Sequence, residues 1–121
     1  MADVFVCRAG ELKDGDVRIV ATKDVEVGVY RHAGKLYAYR NLCLHQGGPV
    51  CEGVRLGKVE DVIGADRTLQ GQRFNTDEMH IICPWHGYEY KLETGECAAD
   101  PKLRLQRFKV VEREGGIYVA I

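Results

Sequence analysis

The chain has 121 residues, a formal net charge of −1 and hydrophobic side chains at 45% of its positions, which suits one domain around one modest core. Near-neutral charge gives no general attraction for nucleic acid or an acidic membrane, and the start Met1-Ala2-Asp3-Val4-Phe5-Val6-Cys7-Arg8 lacks the basic-then-apolar pattern of a secretory signal. No apolar run approaches the roughly 20 residues of a membrane helix, so the expectation is a soluble cytoplasmic protein, too short to add an oxygen-activating iron domain.

Val4–Cys7 and Val17–Ala21 read as short strands parted by the turn-prone Lys13-Asp14-Gly15-Asp16. Val25, Val27 and Val29 alternate with Glu26, Gly28 and Tyr30, the period of a half-buried strand. Ala33-Gly34-Lys35 marks a turn and Leu36-Tyr37-Ala38-Tyr39 the returning strand. Between about residues 52 and 78 the pattern is mixed. Leu56, Val59 and Ile63 fall on one helical face, but Gly57 and Gly64 oppose a helix and Val62-Ile63 also suits a strand. This stretch reads as an insertion. Met79-His80-Ile81-Ile82 then enters a loop, and Tyr88-Glu89-Tyr90-Lys91 leaves it toward the turn Glu93-Thr94-Gly95. Phe108–Glu112 and Ile117–Ile121 flank Glu114-Gly115-Gly116 as a terminal hairpin. No helical periodicity lasts three turns. The expected fold class is all-β, one domain with two loops projecting from it.

The five cysteines are an odd number in a chain without a secretory signal, which favours metal or cluster ligation over disulfides. Two runs carry the chemistry: Cys43-Leu44-His45 and Cys83-Pro84-Trp85-His86. Each offers a thiolate and an imidazole among turn-forming residues, Gly47, Gly48 and Pro49 in one case and Pro84 and Gly87 in the other. By ligand type, two Cys and two His suit tetrahedral Zn²⁺, which would make a zinc-stabilised binding module. Zinc fingers, however, usually pair Cys with Cys and His with His. One of each per loop fits a [2Fe–2S] cluster with thiolates on one iron and imidazoles on the other. Cys51 reads as a buried side chain, with ligand replacement or a disulfide to Cys97 as the alternatives. Cys7 and Cys97 read as packing residues, and His32 and His80, lacking spaced partners, as structural.

Cys43-x-His45 with Cys83-x-x-His86 resembles the Rieske pattern, and Cys83-Pro84-Trp85-His86-Gly87-Tyr88 is similar to the second loop of Rieske-type ferredoxins and oxygenase Rieske domains. Leu92-Glu93-Thr94-Gly95-Glu96 and the terminal strand pair extend the likeness from about Val25 to the end. The resemblance implies a Rieske fold of three antiparallel sheets and one Rieske-type [2Fe–2S] cluster. Its ligands would be Cys43, His45, Cys83 and His86, surrounded by Gly48, Trp85, Gly87, Tyr88 and Tyr90, with no catalytic residue. The segment from Gln46 to Ile82 is longer than the family spacing; it reads as an extended hairpin, or else as a partner-docking or cluster-shielding element. Gly48 and Trp85 stand where the disulfide-braced respiratory class carries extra cysteines, so the likeness is to the soluble, lower-potential branch.

The implied function follows from charge. Two thiolates bring a formally +2 core to zero, so the added electron meets no existing negative charge; Rieske centres lie at roughly −150 to +300 mV, against about −400 mV for four-thiolate plant-type clusters. The resemblance therefore implies a monomeric single-electron carrier from an NAD(P)H-dependent flavin reductase to a terminal oxygenase of the ring-hydroxylating type. Such a protein is an electron-transfer component of an oxidoreductase system, not a catalyst alone. The alternative is a cluster-bearing small subunit of a larger oxidoreductase such as a nitrite reductase. High-potential relatives carry serine where this chain has Tyr88, whereas Tyr90 matches their cluster-facing tyrosine. Its hydroxyl is expected to donate to a cysteine sulfur.

Overall fold

The computed structural model describes residues 3–44, 47–63, 69–85 and 87–121. Among these residues, nine strands follow in chain order: β1 (Asp3–Arg8), β2 (Val17–Ala21), β3 (Glu26–His32), β4 (Lys35–Arg40), β5 (Arg55–Ile63), β6 (Leu69–Ile82), β7 (Glu89–Lys91), β8 (Arg107–Arg113) and β9 (Gly116–Ala120). Short 3-10 turns occupy Ala9–Glu11 and Val50–Glu52. Among the described residues, every strand pairing is antiparallel. Among the described residues, no helix is long and apolar enough to cross a membrane.

The hairpins follow from their turn residues. Ala33 and Gly34 join β3 to β4 with φ of 51° and 78°, and Glu114 and Gly115 join β8 to β9 with 50° and 75°. Two consecutive positive φ values twist the backbone in the hand that flanking strands need. The strands assemble into two sheets, one ordered β1-β9-β8-β4-β3-β2 and one ordered β5-β6-β7. The three expected sheets are recognisable in this order, because the larger one consists of β1-β9-β8 and β8-β4-β3-β2 sharing β8. β8 pairs with β9 from Lys109 to Arg113 and with β4 through Ala38↔Phe108 and Tyr39↔Arg107, which joins two of the expected sheets into one.

β3 departs from its expected half-buried character. Val27, Gly28, Val29 and Tyr30 are all buried, on both faces. One face packs into a core with Cys7, Leu12, Ala38, Ile117 and Val119. The other is covered by the turn Val50–Glu52, and a Cβ on Gly28 would collide with the Cys51 side chain. Tyr30, Tyr39, Val50 and Cys51 there share a second core with Ile81, Tyr90 and Leu92 of the small-sheet region.

The helical option for residues 52–78 is also overturned. β5 and β6 pair from Arg55↔Ile81 to Ile63↔Leu69, with register shifts at Gly57/Lys58 and Val62/Ile63. Val59, Val62 and Ile63 are β-branched residues that favour the pleated conformation. The stretch is a long hairpin; Gly64 lies outside the described residues.

Candidate metal centre

The first Cys-bearing loop runs from the end of β4 to the turn at Val50, and the second joins β6 to β7. The two are built alike. The Cys43 N–H donates to the Gly48 carbonyl (2.8 Å) and the Gly47 N–H to the Cys43 carbonyl (2.9 Å). In the second loop the Cys83 N–H donates to the Tyr88 carbonyl (2.8 Å) and the Gly87 N–H to the Cys83 carbonyl (3.0 Å). Gly47 and Gly87 both sit at φ 72°, where a Cβ would be strained. The same hydrogen-bonded turn thus presents a cysteine at the same point twice.

Both thiols face inward: Cys43 is 3% and Cys83 1% exposed, in one buried cluster with Tyr90 and Leu92. The loops touch across this space. A Cβ on Gly48 would come within 3.2 Å of Cys83 Sγ and 2.8 Å of the Trp85 ring. The Trp85 indole is 56% exposed and Leu44 44% exposed, so the buried sulfurs lie beneath a partly apolar surface. Gly87 is exposed and Tyr88 half-buried against the core. His45 and His86 lie outside the described residues.

The Tyr90 hydroxyl is 3.3 Å from Cys43 Sγ and accepts the Leu44 N–H at 3.2 Å. A lone pair already taken by Leu44 leaves the phenolic proton for the sulfur, and a Cys43 thiolate could only accept. Burial, and then the contact with Cys43, push the Tyr90 hydroxyl well above the ordinary phenol range. It remains a donor.

The remaining cysteines serve packing. Cys51 and Cys97 are buried free thiols, which removes the disulfide alternative. The Cys51 thiol donates toward the Tyr39 carbonyl at 3.5 Å, and burial pushes it up to about 11. It is a protonated thiol at neutral pH. Sequence reasoning missed two partners of His80: Nδ1 lies 2.9 Å from Glu89 Oε1 and Nε2 2.8 Å from Glu78 Oε2. Glu78 stands two residues away on the same face of a strand, a signal available once β6 is read as one. His32 Nε2 lies 3.9 Å from Glu93. Asn41 also went unremarked, although it stands two residues before Cys43.

Two matching turns that bury a cysteine each, with a phenolic donor aimed at one sulfur, suit an iron–sulfur group that needs thiolates. The sequence profile of the Rieske [2Fe-2S] domain matches residues 2–109. A human "Rieske domain-containing protein" is 32% identical over 95 residues, which are 78% of this chain and 50% of that protein. The 3-phenylpropionate/cinnamic acid dioxygenase ferredoxin subunit of Photorhabdus laumondii is 26% identical over 125 residues, covering 100% of this chain and 96% of its own. A chain in the complex of reduced oxygenase and oxidized ferredoxin in carbazole 1,9a-dioxygenase has a TM-score of 0.71 and 28% identity, covering 98% of this chain and 92% of that one. The chain spans about half the human relative and nearly all of the bacterial one. It is a domain of the Rieske [2Fe–2S] family, whose all-β fold carries a [2Fe–2S] cluster.

Proposed function

We propose that this protein is a Rieske-type ferredoxin in the cytoplasm, carrying single electrons from an NAD(P)H-dependent flavin reductase to a terminal oxygenase of the ring-hydroxylating type. The repeated turn that buries Cys43 and Cys83 in one core is the observation that carries this reading. The four ligands are Cys43 and Cys83 through sulfur and His45 and His86 through imidazole nitrogen. When bound, the cluster supplies a one-electron couple at a potential set by its thiolate–imidazole ligation. Tyr90 donates its hydroxyl proton to Cys43 Sγ and so favours the state with more negative charge on sulfur. The buried Cys43 and Cys83 side chains keep water from the sulfurs, while Leu44 and Trp85 offer a partner an apolar approach.

Anaerobically purified protein should be red-brown, with iron and acid-labile sulfide in the ratio of a [2Fe–2S] centre and an electron paramagnetic resonance signal after dithionite reduction. Cys43→Ser, Cys83→Ser and His86→Ala should each abolish that signal, and Cys97→Ser should keep it. Reduced protein should pass its electron to a ring-hydroxylating oxygenase. A colourless zinc protein would overturn the carrier reading, and stable co-purification with a large enzyme would favour a small-subunit role.

A further inference from the structure

The two cysteine-bearing loops share their inner hydrogen bonds but not their closure. The second is closed by strand pairing, since Ile82 and Glu89 are partners in the β6–β7 ladder. Among the described residues the first shows no such ladder: β4 ends at Arg40, and the chain returns as the 3-10 turn Val50–Glu52. The Asn41 side chain bridges the gap, alongside the Cys51 thiol, which lies 3.5 Å from the Tyr39 carbonyl near the end of β4. Asn41 Oδ1 accepts the Cys51 N–H at 2.8 Å. Its Nδ2 donates to Glu26 Oε1 (3.3 Å) and Glu52 Oε2 (3.2 Å), and its own N–H donates to the Glu26 carbonyl (2.8 Å). Asn41 is only 9% exposed. The far side of the closure is fastened too, because the Tyr30 hydroxyl donates to the Cys51 carbonyl at 3.2 Å. A loop without a ladder takes its position from the groups at its base, and here three of those side-chain bonds are made by one amide.

We infer that Asn41 is a positioning residue for the redox centre: by tying the entry of the first loop to its exit, it holds Cys43 Sγ against the Tyr90 hydroxyl and so helps set the reduction potential. This rests on the cluster ligation proposed above. Without the clamp the loop is free to relax away from the small-sheet region that carries Tyr90, and the sulfur loses its donor. The potential should fall, in the same direction as on removing the Tyr90 hydroxyl itself.

The test compares holoproteins carrying Asn41→Ala, the milder Asn41→Ser, Tyr90→Phe, the Asn41→Ala/Tyr90→Phe pair, and Val119→Ala, which weakens the other core. Expected is a lowered potential and an altered paramagnetic resonance signal in both Asn41 variants, neither change in Val119→Ala, and a smaller Asn41 effect once Tyr90 is Phe. If Asn41→Ala does not fold, Asn41→Ser is read on the same measurements. A wild-type potential and signal in a folded Asn41 variant, an equal shift in Val119→Ala, or full additivity with Tyr90→Phe would each overturn the inference. A wild-type protein with no iron–sulfur signal overturns the carrier reading instead, a result distinct from an unshifted variant.

Discussion

Gly48 of the first loop lies directly against Trp85 of the second. A Cβ at position 48 would stand 2.8 Å from Trp85 Cδ2 and 2.9 Å from Cγ, atoms at the root of the indole rather than at a mobile tip. Gly48→Ala must therefore part the loops or turn out the ring. The expected outcome is a several-fold loss of bound iron, read as the ratio of visible to ultraviolet absorbance. Unchanged iron content would mean that the loops tolerate separation.

The Tyr90 hydroxyl makes a second prediction. A hydrogen bond stronger by about 1 kcal/mol in the reduced state corresponds to roughly 40 mV in a one-electron couple. Tyr90→Phe should lower the potential by about that amount in redox titration, with the cluster retained. A potential that does not fall would remove the hydroxyl from the account.

Gly28 predicts an effect on stability. Its missing Cβ is the space occupied by Cys51, whose Sγ would lie 2.6 Å from an added methyl. Gly28→Ala forces apart β3 and the turn that covers it, at a cost of about 1–3 kcal/mol. Thermal melting should show a clearly lower midpoint, whereas Gly10→Ala, with nothing near its added Cβ, should show little change.

Alkaline pH should also unfold the chain by a defined route. Burial raises the Cys51 thiol from its ordinary value of 9.0 to about 11, and burial raises the Tyr39 hydroxyl from 10.0 to about 12. Above their ordinary values the unfolded chain releases these protons while the folded chain keeps them. The unfolded state then binds fewer protons, so stability falls as pH rises, by up to about 1.4 kcal/mol per pH unit for each group. The stability contribution is complete below pH 9 and is lost for Cys51 by about pH 11, for Tyr39 by about pH 12. Denaturant titrations across that range should show the decline; in Cys51→Ala the part between about pH 9 and 11 should be reduced.

Much of this architecture was legible in residue order. Alternating Val27 and Val29, the Ala33-Gly34 and Glu114-Gly115 turns, and the repeated pairing of a cysteine with a histidine among glycines are local signals, and local signals survive in a linear text. The long hairpin was not legible, because register shifts at Gly57/Lys58 and Val62/Ile63 break its period of two. The double burial of β3 was hidden because its second cover, Cys51, comes from a distant stretch. Partners such as Glu89 for His80 depend on strand register. Asn41 was invisible for another reason: it binds a backbone N–H, which almost every residue possesses.

The matching turns are rooted in different sheets, one at the end of β4 in the large sheet and the other between β6 and β7 in the small one. A group gripped by both acts as a rivet between two plates. Iron starvation should consequently be felt as mechanical loosening as well as lost redox capacity, with proteolysis of cluster-free chains starting in β5–β7 while the six-stranded sheet still resists.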